Sequence, residues 1–428
     1  MSINRKQLGA LLCVVVVGIA VASTAGAARQ GTPGVADHSI TIGGTFPFSG
    51  PASLYATIAY AEQAYYGYIN KTQGGVHGRK IIDITMDDGY NPSTTVTDVK
   101  KLVEKDNVFA IVGSLGTAPA LATWGYLNQH QVPQALLATG DAYWGTCIYQ
   151  AKIPQCNGAK PWTIGWQPDY PAEARQYAKY ILSHQSKPKI GVLYQSDDYG
   201  KNYLAGLMSG LGSHKKDVIA EQKYTSGSDP AGIQAHILKL KQAGVNTVVL
   251  FATPAYSIAA LATEGGLHWS PLTMLNNVSA NRLFMLSAES KGAMPAGVVS
   301  STYIESQTTQ SNLPGMQLAK AIINSTKNND LITDFNNGDN NLVYGFAVAA
   351  TAVDALKRAG ASPTRASFMH ALRSLNETGS NSNPFVYPGM TVKTSTTHGF
   401  PMQQLKLEKW NGNTHDWKTF GSVLNSGH

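Results

Sequence analysis

The chain predicts a doubly wound α/β fold built as two lobes. Three observations lead there. Short, β-branched apolar runs recur along the sequence and are mostly continuous rather than alternating, as expected of strands buried on both faces of a parallel sheet. Helix-period segments separate them, which is the pattern of right-handed βαβ units. An irregular stretch over 140–170, rich in aromatics, with a Cys pair and three prolines, interrupts the alternation. At 428 residues, 43% hydrophobic and 14% charged, the chain is long enough for two cores.

In order, strands are expected at 39–46, 80–88, 108–113, 133–139, 189–195, 246–253, 272–277 and 297–304. The clearest helix covers 51–71, where Leu54, Ile58, Ala61, Tyr65 and Ile69 recur at three- and four-residue steps between Ser49-Gly50-Pro51 and Gly74-Gly75. Further helices are expected over 93–106, 118–129, 171–184, 200–211, 230–243, 255–265, 316–326, 342–359 and 364–375. The 140–170 stretch reads as a first crossing between lobes, and GVVSSTYIES (297–306) as a return crossing. The tail over 390–421 alternates apolar and polar residues around Asn411-Gly412 and reads as terminal strands or a hairpin.

The N-terminus reads as an export signal over 1–27: Arg5 and Lys6, an apolar core over 8–22 that contains Cys13, then Ala25-Gly26-Ala27. An uncleaved anchor is the other reading, but the apolar run is short for a span. Cleavage after Ala27 or Ala28 leaves 31 basic against 26 acidic side chains if it falls at Ala27, a balance of +5. No Lys/Arg cluster interleaved with aromatics appears, so nucleic-acid binding is unsupported. No later segment reaches about 18 apolar residues, so the mature chain is expected to be soluble. Cys147 and Cys156 remain after export, and an isolated pair in an exported chain most simply forms a disulfide closing a small surface loop. A metal site fits less well: the spacing is not CxxC and the loop holds no His.

In open α/β sheets ligands bind beyond the carboxyl ends of strands. That rule selects the loops at 45–55, 113–118, 138–144, 195–200, 251–256 and 276–281. They carry Tyr55, Tyr143, Trp144, Tyr199 and Tyr256 together with Ser114, Thr117, Thr139 and Asp141. Two lobes facing each other with these loops form an aromatic-walled cleft holding a few hydroxyls and backbone N–H groups. Within GSLGTA, Thr117 precedes a helix with Pro119 in its first turn, so Thr117 is expected to cap it. The spare N–H groups there favour an anion. No Lys follows Gly116, and neither GxGxxG nor GxSxG is present, so a small carboxylate is the best-fitting anion; a capped helix without ligand is the plainer reading. Catalytic signals are thin. HExxH and metal-spaced clusters are missing, and Asp87-Asp88 and Asp197-Asp198 read as turn and cap residues. Neither an enzyme, a cofactor nor a metal is expected.

The stretches ITIGGTFPFSGPASLYA (40–56), INKTQGGVHGRKIIDITMDDGYNPSTTVTDVKKLVEKDNVFAIVGSLGT (69–117), VPQALLATG (132–140) and KIGVLYQSDDYGKNYLAGL (189–207) carry a resemblance. The chain resembles bacterial extracytoplasmic solute-binding proteins of the type I periplasmic fold, in the branched-chain amino acid (leucine-binding-like) class. YGFAVAATAVDAL (344–356) and the terminal region match more weakly. The resemblance implies two Rossmann-like lobes joined by a three-segment hinge, with 38–166 and 302–385 in lobe 1 and 167–301 and 386–428 in lobe 2. It implies a monomer that traps a ligand by lobe closure, and permease and ATPase partners in the inner membrane. Tyr55 matches an aromatic wall residue, Ser114 to Thr117 the carboxylate-holding turn, Thr139, Gly140 and Asp141 a second contact loop, and Tyr199 the closing aromatic. Tyr143, Thr253, Tyr256, Asn277 and Tyr344 complete the candidate ligand set. Amino-acid binders of this class place an acid after the strand matching 272–277 to pair the ligand ammonium. Here the loop reads NNVSAN, with no Asp or Glu, and Asp141 is the substitute on offer from the other lobe. Relatives with GTLGT-like and ATGA-like loops are associated with aromatic carboxylates and other organic acids, which the tyrosines suit by stacking. A ligand sensor of the same fold is the alternative function, and a secreted enzyme a more distant one.

Overall fold

The structure, a computed structural model, describes residues 31–148, 156–293, 297–395 and 399–425; the export signal expected over 1–27 lies outside them, as does most of the loop between the cysteines. The described residues from Thr32 onward form one compact unit containing two main sheets. The first sheet holds β1 (Ser39–Phe46), β2 (Lys80–Asp87), β3 (Ile111–Val112), β4 (Gln134–Leu137) and β5 (Thr163–Gly165) in the order β2-β1-β3-β4-β5, all parallel. The second holds β6 (Ile190–Gln195), β7 (Val218–Tyr224), β8 (Thr247–Phe251), β9 (Leu272–Leu275) and β10 (Val299–Thr302) in parallel. After a separate two-stranded ribbon of β11 (Asn376–Glu377) and β12 (Val392–Lys393), a hairpin of β13 (Gln404–Asn411) and β14 (Asp416–Thr419) adds antiparallel to β10. β15 (Leu424–Asn425) pairs with β13.

Helices cover both sheets. They are α1 (Thr57–Gln73), α2 (Pro92–Glu104), α3 (Thr117–Gln129), the short α4 (Tyr143–Thr146), α5 (Tyr170–His184), α6 (Asp198–Leu211), α7 (Ile233–Gln242), α8 (Pro254–Gly266) and α9 (Arg282–Ser290). α10 (Pro314–Ser325), α11 (Asn329–Asn336), α12 (Asn340–Arg358) and α13 (Arg365–Leu372) follow the return crossing. α12 is apolar on nearly every side and lies against α1, where Gly345 admits the Ile58 carbonyl: a Cβ there would sit 2.5 Å from that oxygen. Among the described residues no helix is long and apolar enough to cross a membrane.

Several elements depart from expectation. The helix expected over 51–71 begins at Thr57, because Gly50 at φ +76° and Pro51 lead into a single 3-10 turn at Ser53–Tyr55. That turn buries Tyr55 and leaves Leu54 exposed. The stretch read as one crossing over 140–170 contains β5, so only the residues from Trp166 onward leave the first sheet. β7, α9 and α11 were not expected. β7 is an edge strand whose residues alternate between part-buried and exposed, so it lacks the continuous apolar run that marks the central strands. The tail divides between cores: Val386, Met390, Val392 and Met402 pack beside α1 and α12, while Trp410 and Trp417 pack against the second sheet's helices. Cys147 and Cys156 are joined as a disulfide and both are buried.

Candidate ligand-binding cleft

The loops at the carboxyl ends of both sheets meet over one cavity. Asp87 holds the loop after β1, its Oδ1 accepting from the backbone N–H groups of Phe48 (2.9 Å), Ser49 (3.2 Å) and Gly89 (3.0 Å). Asp88 accepts from Tyr90 N–H at 2.8 Å and from the Thr95 hydroxyl at 2.8 Å. Both aspartates are thus turn residues, as expected, and they set Tyr90 at φ +61° with its ring in the cavity wall. Gly116 at φ +107° lies under that ring: a Cβ would stand 2.6 Å from Tyr90 Cε2. Only glycine fits this approach.

The expected Thr117 cap is corrected. The N-cap position of α3 is Gly116 and no side chain caps it. Thr117 is already the first helical residue, and its hydroxyl meets that of Thr139 at 2.5 Å, which in turn accepts from Tyr170 OH at 3.3 Å. Among the described residues no side chain caps the first-turn N–H groups of α3, and Pro119 contributes none. That leaves donors and a positive helix end at the cleft.

Of the candidate residues, Tyr55, Leu115, Gly116, Tyr199, Thr253, Asn277 and Tyr344 line the cavity. The others do not. Ser114 accepts from Thr45 N–H at 3.0 Å, tying β3 to β1. Thr117 and Thr139 are buried at 1% exposure behind the wall. Thr139, Gly140 and Asp141 border a smaller void beside Trp144 and Phe400. Tyr143 stacks on Trp124 at 5.8 Å. Tyr256 stacks on Tyr224 at 4.1 Å and edges an adjoining recess with Asp197. The wall also contains residues the strand-end rule does not reach: Tyr90 from the turn after β2, Gln167 and Tyr170 from the first crossing, and Ser301 to Ile304 from the return crossing. Asn340 and Asn341, which begin α12, complete it. QPDYP and STYIES were visible as crossings in the sequence, and crossings form the floor of a cleft between lobes.

Six tyrosines line this cavity: Tyr55, Tyr90, Tyr170, Tyr199, Tyr303 and Tyr344. Burial pushes the hydroxyl of each upward from the usual phenol range, so all are neutral donors at physiological pH. Tyr199 OH meets the Asn276 side-chain amide. Tyr344 OH donates to Gln167 Oε1 at 3.1 Å, while Gln167 Nε2 is buried with no acceptor. Among the described residues no Asp, Glu, Lys, Arg or His lines the cavity.

The acids lie one layer back. Asp141 is not the ligand's partner from across the cleft. It is 1% exposed, its Oδ1 accepts from Tyr143 N–H at 2.9 Å, and its Oδ2 accepts from Asn202 Nδ2 on α6 at 3.0 Å. Asn202 Oδ1 returns the bond by accepting from Ala142 N–H at 3.2 Å. This reciprocal pair joins a loop of the first sheet to a helix of the second. Burial raises Asp141 to about 7, opposed by the Tyr143 N–H. Behind the acid-free loop after β9 sits Glu173, fully buried at the start of α5. Its carboxylate accepts from Asn277 N–H at 2.7 Å, Asn277 Nδ2 at 2.5 Å, Tyr177 OH at 2.5 Å and Tyr203 OH at 2.9 Å. With those donors engaged, it presents Asn277 to the cavity instead of itself.

Two parallel-sheet lobes meeting over a cavity floored by their crossings define a two-lobed, hinged binding-protein architecture. The chain belongs to the periplasmic binding protein family, whose model matches residues 39–415. This bears out the resemblance seen in the sequence. A curated relative, Leu/Ile/Val-binding protein homolog 7 of Brucella abortus (strain 2308), is 26% identical over 256 residues, covering 56% of this chain and 59% of the relative. The match thus spans about six-tenths of that relative's length. Among solved structures, a substrate-binding periplasmic protein from Ralstonia solanacearum has a TM-score of 0.75 at 20% identity, covering 90% of this chain and 99% of its own. A branched-chain amino acid ABC transporter protein from Thermus thermophilus with bound valine has a TM-score of 0.75 at 16% identity, covering 91% and 97%. These structures share the fold.

Proposed function

We propose that the chain is an exported receptor of an ABC importer that captures a small carboxylate on an apolar body. In this reading the signal over 1–27 is removed, and lobe 1 (38–166, 302–385) closes on lobe 2 (167–301, 386–428) without covalent chemistry. A monomer then delivers the ligand to an inner-membrane permease and its ATPase. The family membership supports the binding role, and the cavity where the loops of both sheets meet supports the site's place.

One observation carries the ligand class: the cavity wall has no charged side chain among the described residues. The α3 N-terminus and Gln167 Nε2 supply donors for a carboxylate. Nothing in the wall pairs a primary ammonium, and burying one without a counter-charge is costly. In this reading a carboxylate without an amine is favoured over a branched-chain or hydrophobic amino acid, the other ligand class that the resemblance implies. Isothermal titration of the mature chain with isocaproate and with leucine, which differ by the amine, tests this. We expect isocaproate to bind at least about tenfold tighter, in line with the cost of an unpaired buried polar group. Tighter binding of leucine would overturn the reading.

A further inference from the structure

We infer that the body of the ligand is a methyl-covered quaternary ammonium group, so that the cleft takes a betaine-type carboxylate. The inference rests on the cleft reading above and narrows it.

The first observation is the shape of the aromatic wall. Tyr170 and Tyr199 meet at 5.2 Å and 89°, and Tyr303 and Tyr344 at 6.4 Å and 76°. Both pairs line one aromatic box together with Tyr55 and Tyr90, and Tyr170 has one face already stacked on Tyr203 at 4.3 Å. Ring faces carry negative charge density and attract a cation placed over them.

The second observation is the layer behind the box. The charged side chains acting on these rings are acidic: Asp197 on Tyr90, Asp141 and Glu173 on Tyr170, Glu173 on Tyr303, and Glu62 on Tyr344. Asp141, Glu173 and Glu62 are 1%, 0% and 2% exposed. Burial raises Glu62 well above the carboxylate range and Asp141 and Glu173 to about 7, so the pull on a cation comes from Asp197 and from Asp141 and Glu173 where they are ionised, and no acid reaches the ligand.

These two features select among carboxylates. A bare apolar acid fits the neutral wall but gains nothing from the negative ring faces beyond burial. A primary ammonium brings N–H donors, and the residues lining the wall offer them neutral amide and hydroxyl oxygens but no carboxylate. A quaternary ammonium has diffuse charge and no N–H, so ring faces and distant acids suffice. Its carboxylate keeps the donors at the α3 N-terminus and Gln167.

The test is a titration series with glycine betaine, tert-butylacetate, glycine and benzoate. Tert-butylacetate is the neutral-carbon isostere of glycine betaine and isolates the charge. We expect glycine betaine to bind roughly 30-fold or more tighter than tert-butylacetate, and tighter still than glycine. Tyr344→Phe, which keeps the ring, should hold glycine betaine within about threefold, while Tyr344→Leu and Tyr303→Leu should each lose roughly tenfold or more. Circular dichroism and melting identify any variant that fails to fold. Tert-butylacetate or benzoate binding as tightly as glycine betaine would overturn this inference and leave the apolar-carboxylate reading standing. Glycine binding tightest would overturn both, and saturable binding by none of the four would overturn the inference.

Discussion

Asn202→Ala probes the bridge between the two sheets' loops. Asn202 gives one bond to the Asp141 carboxyl at 3.0 Å and takes one from Ala142 N–H at 3.2 Å. A bond to a charged group contributes about 1.5–3 kcal/mol and a neutral one about 0.5–1.5. Asn202 is half-buried, which places the loss near the low end, about 2 kcal/mol. In the proposed lobe closure this bridge breaks as the lobes part, so the loss falls on closure and not on either lobe. A ligand that needs the closed form then pays it in full, and its dissociation constant rises about 30-fold. Titration calorimetry reads the affinity, and small-angle scattering reads the shift toward an open, larger form. The melting temperature of the ligand-free chain should move little. Asp141→Ala should cost as much, and the double variant little more than either alone, because the two groups act as one unit. Unchanged affinity within about threefold, or full additivity in the double variant, would refute the bridge as a closure element.

Three further outcomes are expected. Tyr199→Ala should weaken ligand binding more than tenfold and, because Tyr199 is 2% exposed beside Tyr170 and Tyr203, also cost about 3–5 kcal/mol of stability; unfolding curves beside calorimetry separate the two, and unaltered affinity would remove Tyr199 from the wall. Glu264 on α8 is buried with a single partner, Thr273 Oγ1 at 3.1 Å, and burial raises it to about 8. Its folded value lies above its unfolded one, so wild-type stability is intact at acidic pH and falls as pH rises between about 4.5 and 8. Glu264→Gln lacks that fall and should be the more stable protein above pH 8; parallel pH profiles for the two would contradict it. The exported chain should show no free thiol, and reduction of the Cys147–Cys156 bond, with nine residues of separation, should cost about 2.5 kcal/mol. Two titratable thiols without reductant would reject the bond.

How much of this was legible in the sequence depended on how each residue earns its place. Central strands such as β8 are buried on both faces and announce themselves as apolar runs, whereas β7 shows one face to solvent and hides in VIAEQKY. β5 was lost among prolines and aromatics because three residues suffice when neighbours supply the ladder. The strand-end rule found Tyr55, Tyr199, Thr253 and Asn277, since it follows from how parallel sheets are wound. It missed Tyr170, Gln167 and Tyr303, which reach the cavity from the crossings. Tyr90 was hidden by its turn, where DDGY reads as a corner and only the fold turns the ring inward.

The acid is the instructive case. A search along the chain for a carboxylate after β9 found Asn277 and none, and Asp141 was the natural substitute. In space the carboxylate is there: Glu173 comes from α5, more than a hundred residues earlier, and spends its lone pairs on Asn277 and two tyrosines. Asp141 is likewise spent on Asn202 and Tyr143. The cleft thus keeps two acids, each raised by burial to about 7, behind a wall that stays neutral. A carboxylate in the wall would offer a primary ammonium an ion pair. A carboxylate behind a wall of rings offers only a field, and a field rewards a cation that has no hydrogen bonds to demand. That difference, acid in contact against acid one layer back, is what separates the proposed ligand from the amino acids suggested by the sequence resemblance.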